Sequence, residues 1–249
     1  KEISDLVSAK SSEMVRIVVG PTGAGKTAFS KGLFTCGLRE FWSKKVIPSR
    51  IEYRWSSQFD LDDYIFRAAS RDFIAFLCLN TSDEEFEKFL SRFSGLQVAE
   101  DLISLREFAK GLTLDDNTNW VQVVSSEILN WMGANNDQEL WEKIAQHSIS
   151  VLGVKYLFSF DGFDAVSPLE VFSHYEVSQP VETLCKFLDR SLISTKPKRV
   201  FLTNANAHFL IYVRDTTLRI IQRKLTKNEV GRSASDFDWI CPPSYRSVA

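Results

Sequence analysis

The sequence predicts an α/β protein with a parallel sheet, and three observations support this class. An apolar run at Val15–Val19 leads into a glycine-rich turn and then into a helix-compatible segment, which is the order of a strand–turn–helix unit. A second apolar run, residues 156–160, lacks polar alternation, as is typical of a strand buried on both faces. Further apolar runs follow at residues 209–213 and 237–241. A chain of 249 residues that is 44% hydrophobic is large and apolar enough to bury the hydrophobic core of such a protein.

The segment between the first strand and residue 70 is predicted to add two helices and a second strand. Residues 26–41 repeat apolar side chains at helical spacing. Pro48 precedes residues 51–55, which alternate between apolar and polar side chains as a second strand would. Asp60 is suited to cap a helix that begins at Leu61. Residues 1–13 have the pattern of an amphipathic entry helix.

The middle of the chain, from residue 70 to about residue 150, has a helical pattern almost throughout. We predict helices at residues 71–80, 83–93, 98–110, 118–132 and 137–149. Turn-forming glycine, serine, aspartate and asparagine residues separate these helices. So long a run exceeds what one crossover between strands needs. We therefore interpret approximately residues 80–150 as an inserted all-helical segment.

Two apolar runs are candidates for the strand that follows residues 156–160 in the chain. Residues 200–202 and residues 209–213 both have strand composition, but they are only a few residues apart. Neighbouring parallel strands need a connection of about a dozen residues or more, so the two runs cannot be successive parallel strands. We favour residues 209–213, with a helix at residues 216–225 after them. Residues 200–202 then belong to the connection or to an antiparallel extra strand.

The octet after the first strand is the most specific motif of the chain. Its sequence GPTGAGKT, residues 20–27, fits G-x-x-x-x-G-K-[ST] at every fixed position. The glycines let backbone N–H groups close around phosphate oxygens, and the N-terminus of the next helix favours the same negative charge. Lys26 supplies a cation for the β- and γ-phosphates, and Thr27 supplies a hydroxyl for Mg²⁺. The predicted nucleotide-binding residues are Gly20, Pro21, Thr22, Gly23, Ala24, Gly25, Lys26, Thr27 and Ala28.

A carboxylate for the metal is predicted at the end of the buried strand at residues 156–160. Asp161 follows this strand directly, and an aspartate at the carboxyl end of a parallel strand beside the loop is suited to hold Mg²⁺. Thr27 and Asp161 are therefore the predicted metal-binding pair. The alternative is an aspartate that only caps a turn.

The residues around Asp161 resemble a known family. The run DGFDA, residues 161–165, has a small residue directly after the first aspartate and a second acid three positions on. This resembles the signal-transduction ATPases with numerous domains (STAND), the group that includes the NACHT ATPases. FLIYVRDTTL, residues 209–218, is similar to the sensor 1 strand of this group. WICPP, residues 239–243, is similar to the strand and proline that lead into the helical lid of such ATPases.

The resemblance implies a P-loop NTPase fold of the additional-strand catalytic-glutamate division, related to AAA+ proteins. It implies three α/β/α layers, strand order 5-1-4-3-2, and ATP and Mg²⁺ as ligands. The implied catalytic residues are Lys26, Asp161, Asp164, which would orient a water molecule, and Arg214, which would sense the γ-phosphate. Asp164 as a helix cap and Arg214 as the partner of a carboxylate are the alternatives. Because an aspartate is shorter than the family's glutamate and Ala165 replaces its last acid, we expect slow hydrolysis.

The charge, cysteine content and apolar runs of the chain limit which partners and which location we expect. The net charge is −2 and the pI is about 6.0, so the chain has no overall excess of basic residues. Binding to nucleic acid is therefore possible, but the charge does not indicate it. The four cysteines form no C-x-x-C pair, which favours buried thiols and a cytoplasmic location. No apolar run reaches the roughly 18 residues of a membrane span. We expect ATP and ADP as ligands, with self-association or other domains of the same chain as partners.

The resemblance implies a function as well. Residues 1–249 are interpreted as one P-loop NTPase domain from a longer multidomain protein. We expect a slow, Mg²⁺-dependent ATPase switch that drives oligomerisation or signalling, and bacterial members of the group often serve antiphage defence. The main alternative is an AAA+-type ATPase that acts on DNA, of the origin-recognition or transposition-regulator kind. That class usually has Asp-Glu where this chain has Asp161-Gly162. A small-molecule P-loop kinase and a scaffold that does not hydrolyse ATP are further alternatives.

Overall fold

The computed structural model describes residues 15–20, 25–52, 61–112, 120–134, 138–163, 207–214, 217 and 238–240. The strands within these ranges are β1 (Val15–Val19), β2 (Val46–Glu52), β3 (Lys155–Asp161), β4 (Ala207–Val213) and β5 (Asp238–Ile240). The helices are α1 (Lys26–Cys36), α2 (Leu38–Ser43), α3 (Leu61–Asn80), α4 (Asp83–Leu90), α5 (Gln97–Gly111), α6 (Trp120–Ala134) and α7 (Gln138–Leu152). A 3₁₀ turn, Ser91–Phe93, follows α4.

The strands form one sheet in the order β2-β3-β4-β1-β5. Every strand pair among the described residues is parallel, so the carboxyl ends of the strands share one edge. The predicted α/β class and parallel sheet are therefore confirmed for this part of the chain. Counted from the opposite edge, the observed order is 5-1-4-3-2, the order that the resemblance implied.

Both faces of the sheet are covered by helices. Leu157, Leu210 and Tyr212 point to the face where Phe29 of α1 and Phe41 of α2 pack against them. The alternate residues of β3 and β4 point to the opposite face, because successive side chains of a strand leave opposite faces of a sheet. That face carries the larger core, which includes buried residues of α3 to α7. The described part of the chain therefore has three layers, with the sheet in the middle.

The helical segment between β2 and β3 is organised around α3. This helix is 20 residues long, and Phe73 of α3 packs against Phe89 at a ring-centroid distance of 5.0 Å. Residues 61–80 form one helix, so the helix expected to begin at Leu61 and the helix expected at residues 71–80 are continuous. The hydroxyl of Ser70 donates to the carbonyl of Trp141 at 3.1 Å, so this buried polar side chain is satisfied without a break in the helix. The later predicted helices occur within a few residues of their expected bounds.

The second strand was predicted five residues too late. β2 begins at Val46 and contains Pro48, whereas the prediction used Pro48 as the boundary before residues 51–55. Pro48 fits because β2 pairs only with β3 among the described strands and is at the edge of their sheet. An edge strand tolerates proline because only one of its sides is paired, so a proline nitrogen on the unpaired side removes no hydrogen bond from the ladder. Residues 53–60 lie outside the described residues.

Two further expectations for the elements around the sheet can be compared with the structure. The single helix expected at residues 26–41 is two helices, because α1 ends at Cys36 and α2 begins after Gly37. The favoured strand at residues 209–213 is confirmed as the core of β4. The expectations for residues 1–13, for residues 200–202 and for most of residues 216–225 fall outside the described residues.

Candidate functional site

The candidate site lies at the carboxyl edge of the sheet, where the first part of the octet meets β4. The backbone N–H of Gly20 donates to the carbonyl of Val213 at 3.2 Å, so the first octet residue is held against the end of β4. Gly25 has a positive φ of 76°, a conformation that glycine adopts without strain, and α1 begins directly after it. Residues 21–24 lie outside the described part of the chain.

Lys26 connects the two ends of the octet. Its Nζ donates to the carbonyl of Gly20 at 2.7 Å, although the two residues are six positions apart. The ammonium group therefore lies beside the start of the octet. Ala28 is exposed in the first turn of the same helix.

The hydroxyl of Thr27 and the carboxylate of Asp161 are in contact. Thr27 Oγ1 donates to Asp161 Oδ1 at 3.3 Å, and Asp161 is 4% exposed. Because β4 separates β3 from β1, the contact depends on α1, which packs across the face of the sheet. The structure thus brings together the two residues that the sequence predicted as a metal-binding pair.

A buried layer of hydroxyl groups lies beneath this contact. Ser30 of α1 and Ser159 of β3 are hydrogen-bonded at 3.1 Å, and neither side chain is exposed. Burial raises the pKa of Tyr212 to about 12, against the opposing effect of the neighbouring Ser159 and Ser30 hydroxyls. All three groups are therefore neutral at pH 7, and they hold α1 close to the sheet without adding charge.

Arg50 of β2 is a site residue that the sequence analysis missed. Its Nη2 donates to Asp161 Oδ2 at 2.8 Å, its Nη1 donates to Glu52 Oε2 at 3.1 Å, and its Nε donates to Ser30 Oγ at 3.3 Å. Burial lowers the pKa of Arg50, but hydrogen bonding and the charges of Asp161 and Glu52 outweigh it and raise that pKa. The alternation of β2 would have indicated Arg50 if the strand had been placed at Val46–Glu52, because Arg50 and Glu52 then share one face.

The two remaining predicted catalytic residues follow the ends of strands at this edge. Arg214 comes directly after β4 and is half-buried, so its backbone lies beside the start of the octet. Asp164 comes three positions after the end of β3 and lies outside the described residues. The structure therefore places Arg214 at the candidate site and leaves the position of Asp164 as a prediction.

The oxygens of Thr27 and Asp161 fit a magnesium ion in chemical type. Mg²⁺ prefers oxygen ligands and commonly uses one or two carboxylates, substrate phosphates and several water molecules. Among the described residues no group of three or more His, Cys, Asp and Glu side chains is placed to hold a metal. A magnesium ion at this site would take Thr27 Oγ1 and Asp161 Oδ1 as protein ligands, and phosphate and water are the ligands that usually accompany such oxygens.

Comparisons of the chain with protein-family models, with curated proteins and with solved structures found no match. Across the described helices, none is long and apolar enough to cross a membrane.

Proposed function

We propose that this chain is a P-loop ATPase module that binds ATP and Mg²⁺ between the octet and the carboxyl edge of the sheet. The observation that carries the proposal is the 3.3 Å contact between Thr27 Oγ1 and Asp161 Oδ1. These atoms belong to residues 134 positions apart, and they combine the hydroxyl of the octet motif with the carboxylate that a magnesium site requires. The parallel sheet and the order of its strands also support a P-loop NTPase fold.

Each predicted site residue has a distinct role in this proposal. The backbone N–H groups of the octet and the N-terminus of α1 bind the phosphates, and Lys26 neutralises charge on the β- and γ-phosphates. Thr27 and Asp161 would hold Mg²⁺, which supplies further charge neutralisation when bound. Asp164 orients the attacking water molecule, and Arg214 senses the γ-phosphate. Because aspartate reaches less far than glutamate, turnover is slow.

The biological part of the proposal is a switch. ATP binding and slow hydrolysis would control oligomerisation or signalling of a larger cytoplasmic protein, as in the STAND ATPases that the motifs resemble. This part rests on the resemblance of residues 161–165 and 209–218 to that group. The geometry of the site supports nucleotide binding, and it supports the switch only to the extent that the switch requires nucleotide binding.

A binding measurement tests nucleotide recognition. Titration with a fluorescent ATP analogue in the presence of Mg²⁺ should show saturable binding by the unaltered chain. The substitution Lys26→Ala should weaken binding by about tenfold or more, because a charge-assisted hydrogen bond contributes roughly 1.5–3 kcal/mol. Lys31→Ala is the matched control, since it removes an exposed lysine from the same helix. Equal affinities for Lys26→Ala and the unaltered chain would contradict the proposal.

A turnover measurement separates the ATPase from a scaffold. The unaltered chain should release phosphate slowly, and Asp164→Ala should abolish release while it preserves ATP binding. Binding without turnover by the unaltered chain would favour the scaffold. Gel filtration with a non-hydrolysable ATP analogue tests the switch, because an elution volume that does not change with nucleotide would argue against nucleotide-driven assembly.

A further inference from the structure

Arg50 is bound to Asp161 more closely than Thr27 is. The distance from Arg50 Nη2 to Asp161 Oδ2 is 2.8 Å, compared with 3.3 Å between Thr27 Oγ1 and Asp161 Oδ1. The side chains of Arg50 and Asp161 are 19% and 6% exposed, so water screens this pair weakly. The carboxylate expected to attract Mg²⁺ therefore already has a positively charged partner within the protein.

The geometry of Arg50 is fixed by three elements. Its three nitrogens donate to Ser30 on α1, to Glu52 on β2 and to Asp161 on β3. The register places Glu52 opposite Asp161, so Arg50 lies on the same face of the sheet, two positions before Glu52. Arg50 is therefore held by protein oxygens at the carboxylate, whereas Lys26 contacts the octet itself.

A guanidinium and a divalent cation that share one carboxylate oppose each other electrostatically. Each is attracted by the charge of Asp161, and each repels the other across a few ångströms of partly buried protein. A fixed positive charge at Asp161 Oδ2 therefore lowers the affinity of the neighbouring Oδ1 for a metal. It also removes the cost of burying an unpaired carboxylate.

We propose that Arg50 is a built-in counter-ion of the candidate metal site, with which Mg²⁺ must compete for the charge of Asp161. Arg50 then sets the Mg²⁺ concentration at which the site binds metal and nucleotide together. It is a positioning residue, since it acts through Asp161. The inference rests on the proposed function, because it assumes that Asp161 attracts Mg²⁺ when nucleotide binds.

The experiment titrates Mg²⁺ at a fixed concentration of a fluorescent ATP analogue and records the Mg²⁺ concentration for half-maximal binding. Arg50→Gln should lower this concentration roughly three- to tenfold, because a positive charge beside the metal is removed. Arg50→Lys keeps the charge but loses the fork of donors that contacts three elements, so its value should lie between that of Arg50→Gln and that of the unaltered chain. Lys31→Gln also removes one positive charge from α1, but this side chain is exposed and its charge is screened by salt, so the value should stay within about twofold.

Glu52→Gln provides a second variant with the opposite expectation. Glu52 is 51% exposed and shares Arg50 with Asp161, so its substitution puts little of the fold at risk. Loss of its charge leaves Arg50 with Asp161 as its remaining carboxylate among the contacts described above. The half-maximal Mg²⁺ concentration should therefore rise. If Arg50→Gln does not fold, an unchanged or lower value for Glu52→Gln overturns the inference.

Thermal melting in EDTA without nucleotide gives an independent readout. Arg50→Gln should melt at a lower temperature than the unaltered chain, because Asp161 loses its counter-charge. The double variant Arg50→Gln/Asp161→Asn should recover part of the loss. A double variant that melts lower still would count against a charge pair.

The outcomes separate this inference from the proposed function. If the unaltered chain shows no Mg²⁺-dependent nucleotide binding, the proposed function fails and the inference fails with it. If the unaltered chain binds but Arg50→Gln needs the same or more Mg²⁺, the inference alone is overturned. In that second case, Arg50 would orient Asp161 for the metal and would not compete with it.

Discussion

Arg106 and Lys110 provide a test of how burial decides the strength of a charge contact in the helical segment. Both side chains of α5 donate to Asp83 Oδ1, at 2.7 and 2.8 Å. The Arg106 side chain is 7% exposed and the Lys110 side chain is 57% exposed. Arg106 also donates to the carbonyls of Leu77 and Thr81 and lies 4.2 Å from the ring centroid of Phe86. We predict that Arg106→Met destabilises the fold strongly and that Lys110→Met does not.

The magnitude for Arg106→Met follows from what the substitution leaves behind. The carbonyl of Leu77 keeps a hydrogen bond from Thr81 Oγ1, so the carbonyl of Thr81 is the backbone acceptor that loses most. An unsatisfied group of this kind costs roughly 1–3 kcal/mol, and a partly buried cation–π contact contributes about 1 kcal/mol more. Methionine recovers some of the guanidinium's desolvation cost. We therefore expect a loss of about 3 kcal/mol, which corresponds to about 6–12 °C in melting temperature for a chain of this size.

The assay is thermal unfolding of the whole chain, followed by far-ultraviolet circular dichroism. Lys110→Met should change the melting temperature by less than about 2 °C, because exposed ion pairs contribute little. Equal melting temperatures for the two variants would refute the view that burial of Arg106 decides the difference.

Three further predictions concern the candidate site and the helical segment. Gly25→Ala should lower the free energy of unfolding by about 1–2 kcal/mol, because the positive φ of 76° strains any residue with a Cβ. Gly32→Ala, within α1, should raise the free energy of unfolding by roughly 0.5–1 kcal/mol, because alanine favours a helix more than glycine does. Chemical denaturation measures both changes, and a loss of stability in Gly32→Ala would contradict the reasoning. His147 has a pKa below its ordinary value because of burial and nearby cations, so the folded state binds fewer protons than the unfolded state and stability should fall as the pH drops from about 7 to about 5. His147→Gln should flatten that slope in melting temperatures recorded across the same pH range, and an unchanged slope would exclude His147 as its source. Asp161→Asn should remove most of the Mg²⁺ dependence of nucleotide binding in calorimetry, although the amide can still accept a hydrogen bond from Thr27; full Mg²⁺ dependence in this variant would exclude Asp161 as a metal residue.

The elements that could be predicted from sequence are those with a local signal. β3 is a continuous apolar run because both faces of a parallel strand are buried. The helices between β2 and β3 have helical periodicity and turn-forming breaks. The octet has fixed residues at fixed spacing, so its strand and helix could be assigned without knowledge of the fold. In each case the residues that determine the structure are adjacent in the chain.

The position of β2 could not be predicted in the same way. Pro48 interrupts a strand in the interior of a sheet but not at its edge, and the sequence does not state which strand forms the edge. The misplaced strand hid Arg50, because the face of each side chain depends on where the strand begins. The late start predicted for β2 and the omission of Arg50 from the predicted site therefore have the same cause, which is that the edge position of β2 depends on long-range strand pairing.

The distance between Thr27 and Asp161 depends on the packing beneath them as well as on the motif. Since β4 lies between β1 and β3, the octet reaches Asp161 through α1, which contacts β4 at Tyr212 and β3 at Ser159. The buried Ser30–Ser159 hydrogen bond fixes that approach at 3.1 Å, and a larger apolar side chain at either position would force the helix away from the strand. The contact between Thr27 and Asp161 therefore depends on the small residues Ser30 and Ser159 under α1 as well as on the octet. Those residues have no sequence motif, because they serve one helix on one strand.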